Sequence, residues 1–284
     1  MLRKSRAASI LTLLLVLTCS GAAWAIDYIA EGENNYGACA SPCNQNSFNA
    51  YNVATVTGFT GSMAYWGYGG VLYTESQLGG ADLVEDTLPG GEDRMFGDAH
   101  TILALATHGG IVQENGNGPY RHYVIMCMTG GADDCRPNTY ASSTVAMRLG
   151  ERCGQFATPY RGWTRWVTLV TCHSIETNPW QQWEMTTTDG LEYIMGFQGL
   201  FYNSPSTDDQ LSSWANGAFG LTWPFAASWF NAVDDYFWNN VGGVAVPGSD
   251  GADAMIRYAN QTYLYGTRPV CGSTNYFAVA YHQG

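Results

Sequence analysis

Beyond Lys4 the chain contains no lysine, and only 13% of its residues are charged. Its formal charge is −12, or three units lower, −15, once Arg3, Lys4 and Arg6 at the N-terminus are left out. That balance excludes a nucleic-acid binder and a ligand for anionic membranes, since both need clustered cations. Acidity suits a cationic substrate, a salty medium or solubility alone. No stretch after residue 25 has the roughly 20 apolar residues of a membrane span. The nearest, residues 215–230, is interrupted by Pro224. No C-x-x-C step occurs in duplicate and no histidine stands at ligand spacing from one, so no zinc site is indicated and no cofactor is expected. There is no internal repeat, low-complexity tract or proline-rich linker, so one domain is the default reading.

What is present begins with a leader. Arg3, Lys4 and Arg6 precede an apolar run from Ile10 to Leu17, and Ala23-Trp24-Ala25 fits the small-x-small cleavage rule. Residues 1–25 read as a signal peptide, with a secreted or periplasmic product starting near Ile26. Cys19 follows Thr18, a poor residue for lipoprotein processing. Residues 26–284 form the single expected domain, and they carry seven cysteines: Cys39, Cys43, Cys127, Cys135, Cys153, Cys172 and Cys271. An odd count in an oxidising compartment leaves at least one thiol unpaired. Cys39 with Cys43 and Cys127 with Cys135 would close short loops, Cys153 with Cys271 a long one, leaving Cys172. Connectivity is not set by sequence, and this is one assignment of several.

Short apolar runs bounded by turn residues read as buried strands of a parallel sheet. These are Ile26–Ala30, Val71–Thr74, Thr101–Thr107 and Trp166–Thr171, with later strands over Gly243–Val246 and Tyr276–Tyr281. Helices are predicted over Asn46–Tyr65 after a Ser47 cap, Thr144–Gly154, Asp208–Asn216, and from Thr222 and Pro224 to Trp238. The 63 residues between His108 and Cys172 leave room for a crossover helix and a hairpin using Tyr120–Met128. Strands alternating with helices argue an α/β sandwich.

Two of these strands end on chemistry. Thr101–Thr107 runs into His108-Gly109-Gly110, and Trp166–Thr171 into Cys172-His173-Ser174. In open α/β sheets, sites collect at the carboxyl ends of strands. If the two strands are neighbours, an imidazole and a thiol face one crevice, as a cysteine nucleophile and its general base require. Cys172 is the candidate nucleophile, its thiol lowered by a nearby imidazole, and His108 the candidate base. The N–H groups of Gly109 and of Cys172 itself are candidate oxyanion donors. His173 reads as packed or supporting, His100 starts the His108 strand and lies at its other end, and His122 and His282 read as structural. Trp163, Trp166, Trp180 and Trp183 bracket the Cys172 segment, as core residues or as a pocket lining. The plain alternatives are a buried core thiol and a hydrogen-bonded loop histidine.

The order of apolar block, His-Gly, spacer, second apolar block and Cys-His-Ser resembles the caspase-like cysteine peptidases, which include metacaspases, legumains, gingipains and clostripains. The likeness rests on Leu103–Gly110 and Leu169–Ser174 and spans roughly Asp98 to Asn240. Along the whole chain it is nearer to exported bacterial proteins with the same His-Gly and Cys steps. The resemblance implies a caspase-like three-layer α/β sandwich, a mostly parallel central sheet flanked by helices, and a peptidase acting on protein or peptide substrates through His108, Cys172 and Gly109. Metacaspases carry an acidic residue before their cysteine and a glycine after the serine, whereas Thr171 and Ile175 stand here, so no arginine- or lysine-specific pocket carries over. Two other functions fit the same residues: a non-catalytic exported protein binding peptide or glycan on this fold, and sortase-like transpeptidation.

Overall fold

The computed structural model describes residues 26–34, 51–77, 99–113, 120–125, 164–176, 190–202, 204, 209–236, 240–263 and 276–284. The leader, every cysteine except Cys172, the helix expected over Thr144–Gly154, and Trp163, Trp180 and Trp183 lie outside these residues. In chain order the elements are β1 (Asp27–Gly32), α1 (Asn52–Tyr65), β2 (Gly69–Thr74), β3 (Ile102–Ala106), β4 (His108–Gln113), β5 (Tyr120–Ile125), β6 (Trp166–Val170), β7 (Tyr193–Gln198), α2 (Gln210–Ala215), α3 (Phe225–Tyr236), β8 (Val241–Gly248), α4 (Gly251–Asn260) and β9 (Tyr276–Gln283).

Seven strands form one sheet in the order β2-β1-β3-β6-β7-β8-β9. The first five run parallel, and β8 and β9 are each antiparallel to the strand before. The protein is therefore mixed α/β with a mostly parallel sheet. Parallel strands must be covered on both faces, and the sequences comply: Ile-Leu-Ala-Leu-Ala in β3 and Trp-Val-Thr-Leu-Val in β6 are buried throughout.

The two-residue side-chain period divides the core. Ile102, Ala104, Ala106, Trp166 and Val170 point to one face, where they meet Phe59 and Met63 of α1, Leu211 and Trp214 of α2, and Phe225, Trp229 and Val233 of α3. Ala254 of α4 joins the same cluster. Leu103, Leu105, Val167, Leu169 and Ile194 point to the other face, packing with Ile29, Leu191 and Ile175. All four described helices thus lie on the first face, so among the described residues the sheet has one helical layer, and the second helical layer of the expected three-layer sandwich is not shown. None of them is long and apolar enough to cross a membrane.

Local chemistry explains the departures from expectation. Helix α1 starts at Asn52 rather than near Ser47, because the Val53 amide is met by Oδ1 of Asn34, just past the end of β1, at 3.1 Å. Asn52 in turn donates to the Glu33 carbonyl at 2.8 Å. Helix α3 follows Pro224, as a proline at the helix entrance favours. Strand β7 and helix α4 were not foreseen; α4 is capped by Asp250, which accepts from the Asp253 amide at 2.8 Å. The His-Gly-Gly step, expected as a turn, opens strand β4, whose antiparallel partner is β5.

The helix face is dense with aromatics. Trp214 is fully buried and stacks on Phe59 at 5.9 Å, with Phe219 edge-on at 5.4 Å and Trp229 at 6.5 Å. Since it joins α1, α2 and α3, Trp214→Ala should destabilise the fold by about 3–5 kcal/mol, read from guanidinium unfolding.

Candidate functional site

The condition set by the sequence is met: β3 and β6 are adjacent and parallel. Their last paired residues are Ala106 and Val170. His108 and Cys172 each follow two positions later, at corresponding places on the carboxyl edge of the sheet. The pairing register puts Ala106 and Val170 on the helix face, and Cys172 packs against that same cluster. Both residues are partly buried. Cys172 is free of any disulfide.

The turn carrying Cys172 is built to replace a strand. Only Trp166, Val167 and Thr168 of β6 pair with β7, so the upper half of β7 loses its neighbour. Ser174 takes over: its buried Oγ accepts the Phe197 amide at 2.7 Å and donates to the Thr171 carbonyl at 3.1 Å. The Ile175 amide bonds the Phe197 carbonyl at 2.9 Å. Gly196 makes the approach possible, because a Cβ there would fall 2.3 Å from the Ser174 hydroxyl.

Between thiol and serine, His173 has φ +57°, a left-handed conformation uncommon outside glycine and asparagine-like residues. Its amide reaches the Gly199 carbonyl at 2.6 Å and its Nδ1 the Glu176 carboxylate. The same Glu176 oxygen accepts the Gly199 amide at 3.1 Å. Tyr281 of β9 donates its hydroxyl to the Glu176 carbonyl. His173 is thus bonded within the turn, to Gly199 and Glu176, and Glu176 is an organiser of that turn that sequence reading missed. The signal was present as a carboxylate three residues after a turn histidine.

The sulfur itself meets backbone. The Phe201 amide points at Sγ from 3.3 Å, and the Phe201 carbonyl lies 3.6 Å away, in reach of the thiol proton. The Cys172 backbone amide also favours the thiolate. Burial pushes the thiol up from its ordinary value, and the two amides only partly offset this. The groups acting on it are its own burial and backbone, so the expected lowering by an imidazole is replaced by a rise. Burial pushes His108 below its ordinary value. At neutral pH both groups are therefore uncharged, a thiol and a neutral imidazole rather than an ion pair.

Other histidines fall as follows. His100 bonds Asp27 at 3.0 Å at the opposite edge of the sheet, and His282 bonds Asp234 of α3, so both are structural. His122 lies in β5 opposite Ile111. Gly109 is buried within β4, in register with Val124, so its backbone belongs to a hairpin rather than to an open turn. Trp166 is fully buried against Phe225 at 4.8 Å and cannot line an open pocket. On the other side of β3, the fully buried Glu31 and Glu33 bound the same edge. They were missed because a strand ending in Glu-Gly-Glu reads as its exposed exit. Among the described residues no group of three His, Cys, Asp or Glu side chains is placed to hold a metal ion.

No family model, curated protein or solved structure matches the chain.

Ser174→Ala leaves the buried Phe197 amide without its acceptor and should cost about 1–3 kcal/mol in urea unfolding. The raised thiol gives a second expectation. Iodoacetamide alkylation of Cys172 should climb with pH and inflect above the ordinary thiol range, whereas an inflection near neutrality would show that an imidazolium holds the thiolate.

Proposed function

We propose that the chain is an exported cysteine peptidase of the caspase-like type, with Cys172 as nucleophile and His108 as general base. The observation that carries this reading is the in-register pairing of β3 with β6, which brings the two residues to the same edge of a mostly parallel sheet. The strained turn at His173 and the Phe201 amide aimed at Sγ add to it, since such strain collects at functional sites. Export rests on the leader at residues 1–25.

The chemistry runs in two halves. Sγ attacks the scissile carbonyl while the thiol proton, directed at the Phe201 carbonyl in the resting state, passes to the His108 imidazole. Because both groups start neutral, proton transfer accompanies attack instead of preceding it. The oxyanion forms beside the sulfur, where the Phe201 amide already points and the Cys172 amide is close at hand, while the Gly109 backbone stays with the β4–β5 hairpin. The C–N bond then breaks, His108 protonates the leaving amine, and a thioester remains on Cys172. Water attacks that thioester with His108 again taking a proton, and the acid leaves as the thiol is restored.

One observation favours a second reading. A half-buried, uncharged thiol held by the Phe201 backbone suits a non-catalytic protein that binds peptide or glycan on this fold. Cleavage of a peptide library by the protein lacking residues 1–25 separates the two. Cys172→Ala should abolish turnover and His108→Ala should lower it by roughly 100- to 10,000-fold. A peptidyl chloromethyl ketone should add once, at Cys172. Absence of both cleavage and adduct would leave the binding reading in place.

The pH profile is a further check. The base must be unprotonated, and burial lowers the His108 value, so activity should persist as pH falls through 6.5 and decline only below it. An acid limb centred above 6.5 would exclude His108 as that base.

A further inference from the structure

The opposite edge of the molecule carries a feature that the proposed reaction does not use. Helix α1 starts beside Asn34, at the carboxyl edge of the sheet, and ends at Tyr65, beside the start of β2. There Tyr65 is 79% exposed and Trp66 39%, their rings 5.0 Å apart and edge-to-face. Leu221 is 54% and Trp223 43% exposed on the connection from α2 to α3. Both tryptophans lean on the π turn at Asn216–Gly220. The Trp66 indole N–H donates to Oδ1 of Asn216 at 2.8 Å, and its ring lies so close to Gly220 that a Cβ there would sit 2.2 Å away. The edge of Trp223 is 3.5 Å from the Cβ position of Gly217.

Three properties narrow what this surface takes. Its own segments are uncharged: residues 51–74 and 210–233 contain no Asp, Glu, Lys or Arg, in a chain with 24 acidic side chains, and the charges described at the same edge are paired, Asp27 with His100 and Arg165 with Glu192. A charged ligand or an anionic membrane would find no counter-charge on these segments. It is fixed: one face of Trp66 is seated on backbone and its N–H is tied down, so little ordering remains to be done on binding. Clearance is also present. Gly61 lies in the interior of α1, where glycine is unfavourable, and a Cβ at Gly61 or Gly69 would meet nothing within 4 Å. Packing within the chain does not call for those glycines. The π turn and Thr222, with φ +61°, are the kind of irregular backbone that marks functional surface.

We propose that Tyr65, Trp66, Leu221 and Trp223 form a binding platform for a neutral polysaccharide. Aromatic faces accept the C–H faces of sugar rings, while the Tyr65 and Thr222 hydroxyls and the Asn216 amide supply uncharged hydrogen-bonding groups. The platform is separate from Cys172, and its occupancy does not depend on whether that thiol is catalytic.

Native affinity electrophoresis of residues 26–284 in gels containing barley β-glucan, arabinoxylan or galactomannan tests this. At least one polymer should retard the protein, and Trp66→Ala and Trp223→Ala should each weaken binding roughly tenfold. Trp223→Tyr, which keeps a stacking face, should bind within a few fold of the parent, guarding against loss through misfolding. Cys172→Ala should bind like the parent. No retardation in any gel, or retardation unchanged in both alanine variants, overturns the proposal. So does a dimer in solution that Trp66→Ala dissociates, which would assign the surface to a second copy of the chain. Flotation of the protein with phosphatidylcholine vesicles, lost in Trp223→Ala, would assign it to a membrane instead and equally overturn it.

Discussion

The register between β3 and β6 is the constraint on which the rest of the site depends. A shift by one residue would turn every side chain of one strand to the opposite face of the sheet. Ala106 and Val170 would no longer share a face, and His108 and Cys172 would leave the edge at different heights. The register is held by burial on both faces: Trp166 and Val170 are bound into the aromatic helix layer, Val167 and Leu169 into the aliphatic layer behind. Neither set tolerates the other's place. The placement of His108 and Cys172 is a by-product of core packing, which explains why both candidate residues lie immediately beyond the best-buried strands.

The thiol is held by a different device. Strand β6 parts from β7 after Thr168, and the backbone groups it leaves behind on β7 are taken up by one serine side chain and the turn around it. The polar groups of Ser174, His173 and Glu176 then fasten the loop at Gly199–Phe201, whose amide reaches the sulfur. Such a network, buried at Ser174 and partly exposed at His173 and Glu176, is rigid when every member is satisfied. The same burial favours the protonated thiol and the neutral imidazole, so in the proposed reaction the proton moves only when a substrate carbonyl is in place.

Much of this was legible in the residues. The strands around Leu103 and Leu169 were readable because parallel strands buried on both faces leave uninterrupted apolar runs. Cys172 was singled out by the odd cysteine count, and His108 by its place at the end of its strand. What escaped detection depended on distant partners. Helix α1 takes its cap from Asn34, so the nearby Ser47 misplaced its start. Strand β7, Tyr-Ile-Met-Gly-Phe-Gln, has a glycine where Ser174 must approach, and that glycine disguised it. Trp166 was read as a possible pocket wall because periodicity alone does not say which layer lies above an indole. The rise of the thiol's value was equally hidden, since desolvation is set by the packed surroundings and not by neighbours in sequence.

The bond from the Tyr281 hydroxyl to the Glu176 carbonyl spans 105 positions of the chain. Synthesis is vectorial, so the Cys172 turn stays unfastened on one side until Tyr281 has emerged and β9 has docked beside β8. In the exported protein proposed above, an extended chain crossing a translocon would carry His108 and Cys172 across as unassembled parts. The order of residues along the polypeptide thereby acts as a timer, delaying completion of the site until the far edge of the sheet has closed.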